Sequence, residues 1–212
     1  MSNLILNSTS KFIHIPKCGG SAIQAALFYL ECATSDETQR CKSPNDGHLF
    51  LHQMPEDNKI PFTFIRNPIN WWYSFYNWNK TSSVTRFSSA EMATANFDEW
   101  VKEYGPLWLG MYTKWVKRYI GEDKNYPVNQ RISFENIGKT ERLYEDLKRI
   151  LDKIEEPYNE ARMHEILNGD LPPDIFLYEN KLQYDRNICD DTIIDIFKTE
   201  REIFERFNYK LI

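Results

Sequence analysis

Two short apolar runs, Lys11 to Ile15 and Pro61 to Ile65, each stop at a charged turn and lead into a helix-forming segment. Runs this short suit buried strands rather than helices. A helix between two strands rules out a hairpin and calls for a crossover, the connection that joins parallel strands. The first turn is Pro16-Lys17-Cys18-Gly19-Gly20-Ser21, ahead of a helix over Ala22 to Leu30. The second is Arg66-Asn67-Pro68, ahead of an aromatic helix from Ile69 to Trp78, with Pro68 suited to its first turn.

The remaining pattern fits the same scheme. A third strand is expected at Gln130 to Phe134, closed by Glu135-Asn136. Thr140 to Ile154 carries an apolar helical stripe through Leu143, Leu147, Ile150, Leu151 and Ile154, and Asp190 to Phe207 reads as a final amphipathic helix. Phe97 to Tyr104 and Leu107 to Tyr119 read as two helices parted by Gly105-Pro106. Residues 33–47 are polar, 81–94 read as a mobile surface segment, and 157–187 as irregular chain. Strands alternating with helices predict an α/β protein, a small, mainly parallel sheet flanked by helices, as a single domain over residues 1–212.

Composition narrows the partners. The formal net charge of −5 argues against a nucleic-acid partner, which demands a basic domain. It leaves room for a small anion held at one focused site. No stretch reaches the roughly 20 apolar residues of a membrane helix. From Met1 to Ser10 no basic region precedes an apolar run, so a cytoplasmic protein is expected. Cys18, Cys32, Cys41 and Cys189 lack paired or finger spacing, so free structural thiols are expected, with a Cys32–Cys41 bridge as the alternative.

Both turns have the chemistry of anion sites. Glycines let backbone N–H groups approach an anion, and a helix N-terminus adds partial positive charge. Lys17 contributes a full charge and Ser21 a hydroxyl donor. The Lys precedes both glycines, so this is not a Walker A loop; an ordinary strand-to-helix turn with a surface lysine is the plain alternative. The second turn puts Arg66 at the carboxyl end of a strand, where ligands of open α/β sheets bind. Ser74 follows eight residues later, about two helical turns on, so Arg66 and Ser74 can grip one phosphate. Two anion cradles suggest a ligand with two separated anionic groups.

Strand-Pro-Lys-x-Gly-Gly-Ser, then strand-Arg-Asn-Pro with a Ser eight residues past the Arg, resembles the sulfotransferases that use 3′-phosphoadenosine 5′-phosphosulfate (PAPS). It is most similar to the carbohydrate branch, which includes heparan-sulfate 2-O- and 6-O-sulfotransferases and small bacterial relatives. Ile132-Ser133-Phe134-Glu135-Asn136 and the ending Phe207-Asn208-Tyr209 resemble further signatures of that group. The resemblance implies a P-loop-like three-layer fold. It assigns Lys17, Gly19, Gly20 and Ser21, with Cys18 and Ala22 of the same loop, to the 5′-phosphosulfate, and Arg66 and Ser74 to the 3′-phosphate. Cys18 stands where relatives usually have Thr, Ala22 where many have a second hydroxyl, and Trp71 where many have a second Arg.

Four histidines offer a general base. His14, inside the first strand, reads as a buried structural residue, and His164 as a surface one. His48 and His52 lie just before the second strand, where relatives often carry their base; the spacing favours His48, with His52 second. Glu135, at a strand end, reads as a structural acid. The resemblance implies in-line attack of an acceptor hydroxyl on sulfur, His48 taking the proton and Lys17 with the loop amides stabilising the charge that develops. No metal is required, because the moving group carries about one negative charge, less than a phosphoryl group. The acceptor is expected to be a carbohydrate or glycolipid.

Two other readings stand beside this one: a kinase-like, nucleotide-dependent phosphotransferase, and a non-catalytic nucleotide- or glycan-binding module. The run from Trp71 to Trp78 holds six of the 31 aromatic residues. Trp72 and Phe75 read as core, as do Trp108 and Trp115 on one face of a single helix. Trp71 and Trp78 are open between core and contact with acceptor or nucleotide.

Overall fold

A computed structural model describes residues 3–34, 40–41, 49–54, 57–81, 95–108, 110–122, 131–172 and 187–211. The chain falls into two compact units, Met1–Ile65 with Val116–Asn180, and Arg66–Trp115 with Lys181–Ile212.

The first unit is α/β. Among the described residues five strands form one open sheet: β1 (Asn3–Ile5), β2 (Ser10–Ile13), β3 (Arg40–Cys41), β4 (Ile60–Ile65) and β5 (Ile137–Lys139), in the order β3-β1-β2-β4-β5. β2, β4 and β5 run parallel, while β1 lies antiparallel to both β2 and β3. Helix α1 (Gly20–Tyr29) follows β2 and begins the crossover to β4. Alternation along a strand puts Phe12, Phe62 and Phe64 on one face. There they pack with Ile23 and Leu27 of α1, Leu147 and Ile150 of α5 (Leu143–Lys153), and Met163 of α6 (Glu160–Asn168). Gly138 pairs opposite Phe64, and a Cβ there would lie 2.4 Å from the phenyl ring, so the glycine makes room for it. The β1–β2 connection is held by Glu156. Its buried carboxylate accepts from the Ser8 and Thr9 amides (3.1 and 2.8 Å) and from the Thr9 and Ser10 hydroxyls (2.9 and 2.8 Å).

The second unit is helical among its described residues. It contains α2 (Pro68–Thr81), α3 (Phe97–Trp108), α4 (Met111–Tyr119) as far as Trp115, and α7 (Asp190–Arg206). Asn67 caps α2, its Oδ1 accepting from the Ile69 amide at 2.9 Å. The aromatic residues of α2 form the core: Trp71 stacks on Phe75 and on Tyr112, and Trp72 meets Trp100 edge-on.

Four expectations from the sequence need correction. Phe134–Asn136 is a turn of 3₁₀ helix, and the third parallel strand comes just after it, at Ile137–Lys139. Residues 157–187 are not all irregular, since α6 lies among them, opened by Asn159 and closed by Gly169 in the left-handed region. Gly105-Pro106 does not break a helix. Pro106 lies within the last turn of α3, where it removes one backbone hydrogen bond and crowds the carbonyl of Lys102, and the chain turns at Gly110, φ +69°. Trp108 and Trp115 consequently sit on different helices and meet through Phe75, at 6.3 and 6.4 Å between ring centroids. Residues 82–94, read as a mobile segment, lie outside the described residues.

Candidate functional site

The turn after β2 is built by its residue types. The Cys18 amide donates to the Ile15 carbonyl at 3.2 Å, closing a turn with Pro16 and Lys17 at its centre. Proline fixes φ near −65°, and Lys17 has φ +67°, the combination of a type II turn. That second central position normally belongs to glycine, and holding a lysine there costs roughly 1–2 kcal/mol. Gly19 follows with φ +77° and is the N-cap of α1. It brings no side-chain oxygen to the helix start, and the first turn of α1 holds no acidic residue. The N–H groups at a helix start have no acceptors within the helix, and the helix dipole adds partial positive charge there, which attracts an anion. Lys17 and Ser21 are half-buried, whereas Cys18, Gly19 and Gly20 are buried. Ala22 is also buried, its side chain in the core beside Ile23.

His14 is buried, as the sequence suggested. Its amide donates to Asn3 Oδ1 at 2.8 Å, and its ring lies against Gly20, where a Cβ would be only 2.0 Å from Nε2. Gly20 is thus required by the histidine packed on it. The same buried Asn3 donates through Nδ2 to the Leu49 carbonyl at 2.8 Å and to Met54 Sδ at 3.1 Å. One amide side chain therefore ties the exit of β2 to the segment that carries His52. His52 is exposed on a 3₁₀ turn, Leu51–Gln53, its ring stacked 5.8 Å from Phe50. Phe50 in turn receives the Arg118 guanidinium 4.0 Å from its centroid. His48 lies outside the described residues. His164 is exposed on α6, and Glu135 is exposed, its carboxyl held below the usual range by the Lys153 ammonium that donates to it.

Arg66 is the residue after β4. Only 4 % exposed, it is fixed by its backbone: the amide donates to Tyr112 Oη at 2.8 Å, and Tyr112 Oη–H donates back to the Arg66 carbonyl at 2.8 Å. Ser74 is half-buried on α2. Trp71, at the position where many members of the resembled family carry a second arginine, is fully buried between Phe75 and Tyr112. It belongs to the core, as do Trp72 and Phe75. Trp78 is 43 % exposed and stacks on Phe75.

Glu200 escaped the sequence reading. It is fully buried at a kink in α7 and accepts four hydrogen bonds: Trp72 Nε1 (3.1 Å) and the Tyr112 amide (3.2 Å) at Oε1, the Thr113 amide (2.8 Å) and hydroxyl (2.6 Å) at Oε2. Burial pushes its carboxyl above the usual carboxylate range, and the Thr113, Trp72 and Tyr112 donors oppose that rise. A signal existed: an acid in register with Ile196 and Ile203 on the apolar stripe of α7. Tyr112 had none, because its hydroxyl partner is a backbone 46 residues away. Comparison with protein-family models, curated proteins and solved structures finds no match to this chain.

Proposed function

We propose that the protein is a sulfotransferase of P-loop-like three-layer fold, moving the sulfuryl group of PAPS to a hydroxyl of a carbohydrate or glycolipid. The observation that carries this reading is the turn Pro16–Gly20. A lysine held at φ +67° and an N-cap glycine at φ +77° stand directly before a helix with no acid in its first turn. Strain retained at a turn is expected where the conformation serves a ligand. Arg66, on the neighbouring parallel strand's exit, and Ser74 supply the second anionic grip.

In this reading Lys17 and the amides of Gly19, Gly20 and Ser21 bind the 5′-phosphosulfate, and Arg66 with Ser74 binds the 3′-phosphate. The acceptor oxygen forms a bond to sulfur as the bond from sulfur to the bridging phosphate oxygen breaks, and the bisphosphate leaves with that electron pair. His48 receives the hydroxyl proton, with His52 as the second candidate. Lys17 neutralises charge growing on the bridging oxygen, a role in which fixed donors contribute most.

Thermal shift with 3′,5′-adenosine bisphosphate, against ATP with Mg²⁺, tests the reading. A ligand at 100 times its Kd stabilises by about 2.7 kcal/mol. The bisphosphate is expected to raise Tm in the wild type and by clearly less in Arg66→Ala. Stabilisation by ATP with Mg²⁺ alone would favour a phosphotransferase. Transfer of labelled sulfate to an acceptor panel, abolished in His48→Ala with bisphosphate binding intact, distinguishes an enzyme from a binding module. Loss in His52→Ala instead would move the base to that residue.

A further inference from the structure

We infer that Tyr112 and Glu200 are positioning residues for the anion grip of Arg66 and Ser74, an inference that rests on the reading of those two residues as phosphate ligands. A residue just past the end of a strand has left the ladder that orders its backbone. At Arg66 a single hydroxyl replaces the ladder: Tyr112 Oη accepts from the Arg66 amide and donates to the Arg66 carbonyl, both at 2.8 Å. Tyr112 thus restrains both backbone groups of Arg66, and with them the direction in which its side chain leaves the backbone.

Tyr112 is itself fixed from two sides. Its ring stacks on Trp71 with centroids 4.7 Å apart and planes 17° from parallel, and its amide donates to Glu200 Oε1. The same Oε1 accepts from Trp72 Nε1 on α2, two residues before Ser74. One buried carboxylate thus holds α4 through Tyr112, whose hydroxyl fixes Arg66, and α2 through Trp72, on the helix that carries Ser74. Its four hydrogen-bond donors are all neutral groups. Apolar residues of similar volume would hold packed helices as well as a buried charge does. An apolar contact does not fix direction, and direction is what a bidentate guanidinium–phosphate pair needs.

The test is calorimetric titration of 3′,5′-adenosine bisphosphate into the wild type, Tyr112→Phe, Arg66→Ala and the double variant, with Tm measured for each. Phenylalanine keeps the stacking on Trp71 and removes only the hydroxyl. Two hydrogen bonds of ordinary net strength correspond to about tenfold or more in affinity. Tyr112→Phe is therefore expected to weaken binding by about that factor. In the Arg66→Ala background it should change Kd no further, because it acts through Arg66. A lower Tm with unchanged Kd in folded Tyr112→Phe would overturn the inference, as would an equal loss in both backgrounds. A wild type that fails to bind the bisphosphate overturns the phosphate-ligand reading itself, and the inference with it.

Discussion

Gly20→Ala tests the packing beneath the lysine turn, and the sign of its effect is diagnostic. Gly20 is the first helical residue of α1, so propensity favours alanine, by up to about 1 kcal/mol in a helix interior. The structure opposes it: the new Cβ would lie 2.0 Å from His14 Nε2 and 2.1 Å from Cδ2. Ordinary contact begins near 3.5 Å, so the imidazole must retreat by about 1.5 Å. His14 is buried and lies beside the Phe12 ring, at 6.1 Å between centroids, so that retreat disturbs the β2 exit. Overpacking of this kind costs about 1–3 kcal/mol, which less the propensity gain leaves a net loss of up to about 2 kcal/mol. For a chain of this size Tm should fall by up to roughly 8 °C. Thermal and urea unfolding measure it, and the same substitution in a His14→Ala background should be neutral or stabilising. A single variant at least as stable as the wild type would refute the contact and the reason given for the glycine.

Three further outcomes follow from buried groups. Burial raises the folded-state pKa of Glu200 above its ordinary 4.5, so its favourable contribution is full below that value and is lost as pH rises through the folded value. Wild type should lose stability relative to Glu200→Gln on raising the pH from 4, measured by urea unfolding; a gap moving the other way would mean the four donors outweigh burial. Glu156→Ala strands the Ser8 and Thr9 amides and should cost about 3 kcal/mol, read from the urea midpoint; a loss below 1 kcal/mol would show that water replaces the carboxylate. Cys32 carries a buried free thiol pushed up to about 12, first by desolvation and then by Glu156, whereas Cys189 is exposed. Iodoacetamide at pH 8 should label Cys189 and spare Cys32 until the protein unfolds, because the thiolate is the nucleophile. Rapid native labelling of Cys32 would contradict that burial.

The elements that were legible in the sequence are those whose signal is local. β2 and β4 announced themselves as short apolar runs, α5 as an uninterrupted stripe, and α2 by Asn67-Pro68 at its start. Gly105-Pro106 reads as a break because both residues disfavour a helix interior, yet α3 continues through them to Trp108. The third strand was displaced because Ile132 and Phe134 have the β-forming side chains, yet the ladder with β4 is made by Ile137–Lys139, where Gly138 alone accommodates Phe64. Helix α6 was overlooked although Asn159 and Gly169 stand at its ends, since Pro and Tyr nearby masked a short stripe.

The candidate site divides the same way. Composition and order of residues alone determined the lysine-glycine turn ahead of α1 and the Arg-Asn-Pro exit of β4, because a type II turn, an N-cap and a strand end are each set within a few residues. Tertiary structure decided the rest. It assigned Trp71 to the core, set the His14 ring on Gly20, and joined Glu200, Tyr112 and Arg66 across 134 residues of chain. Those relations depend on which side chains meet after the helices pack, and a hydroxyl that pins a distant backbone leaves no periodicity in the sequence to reveal it.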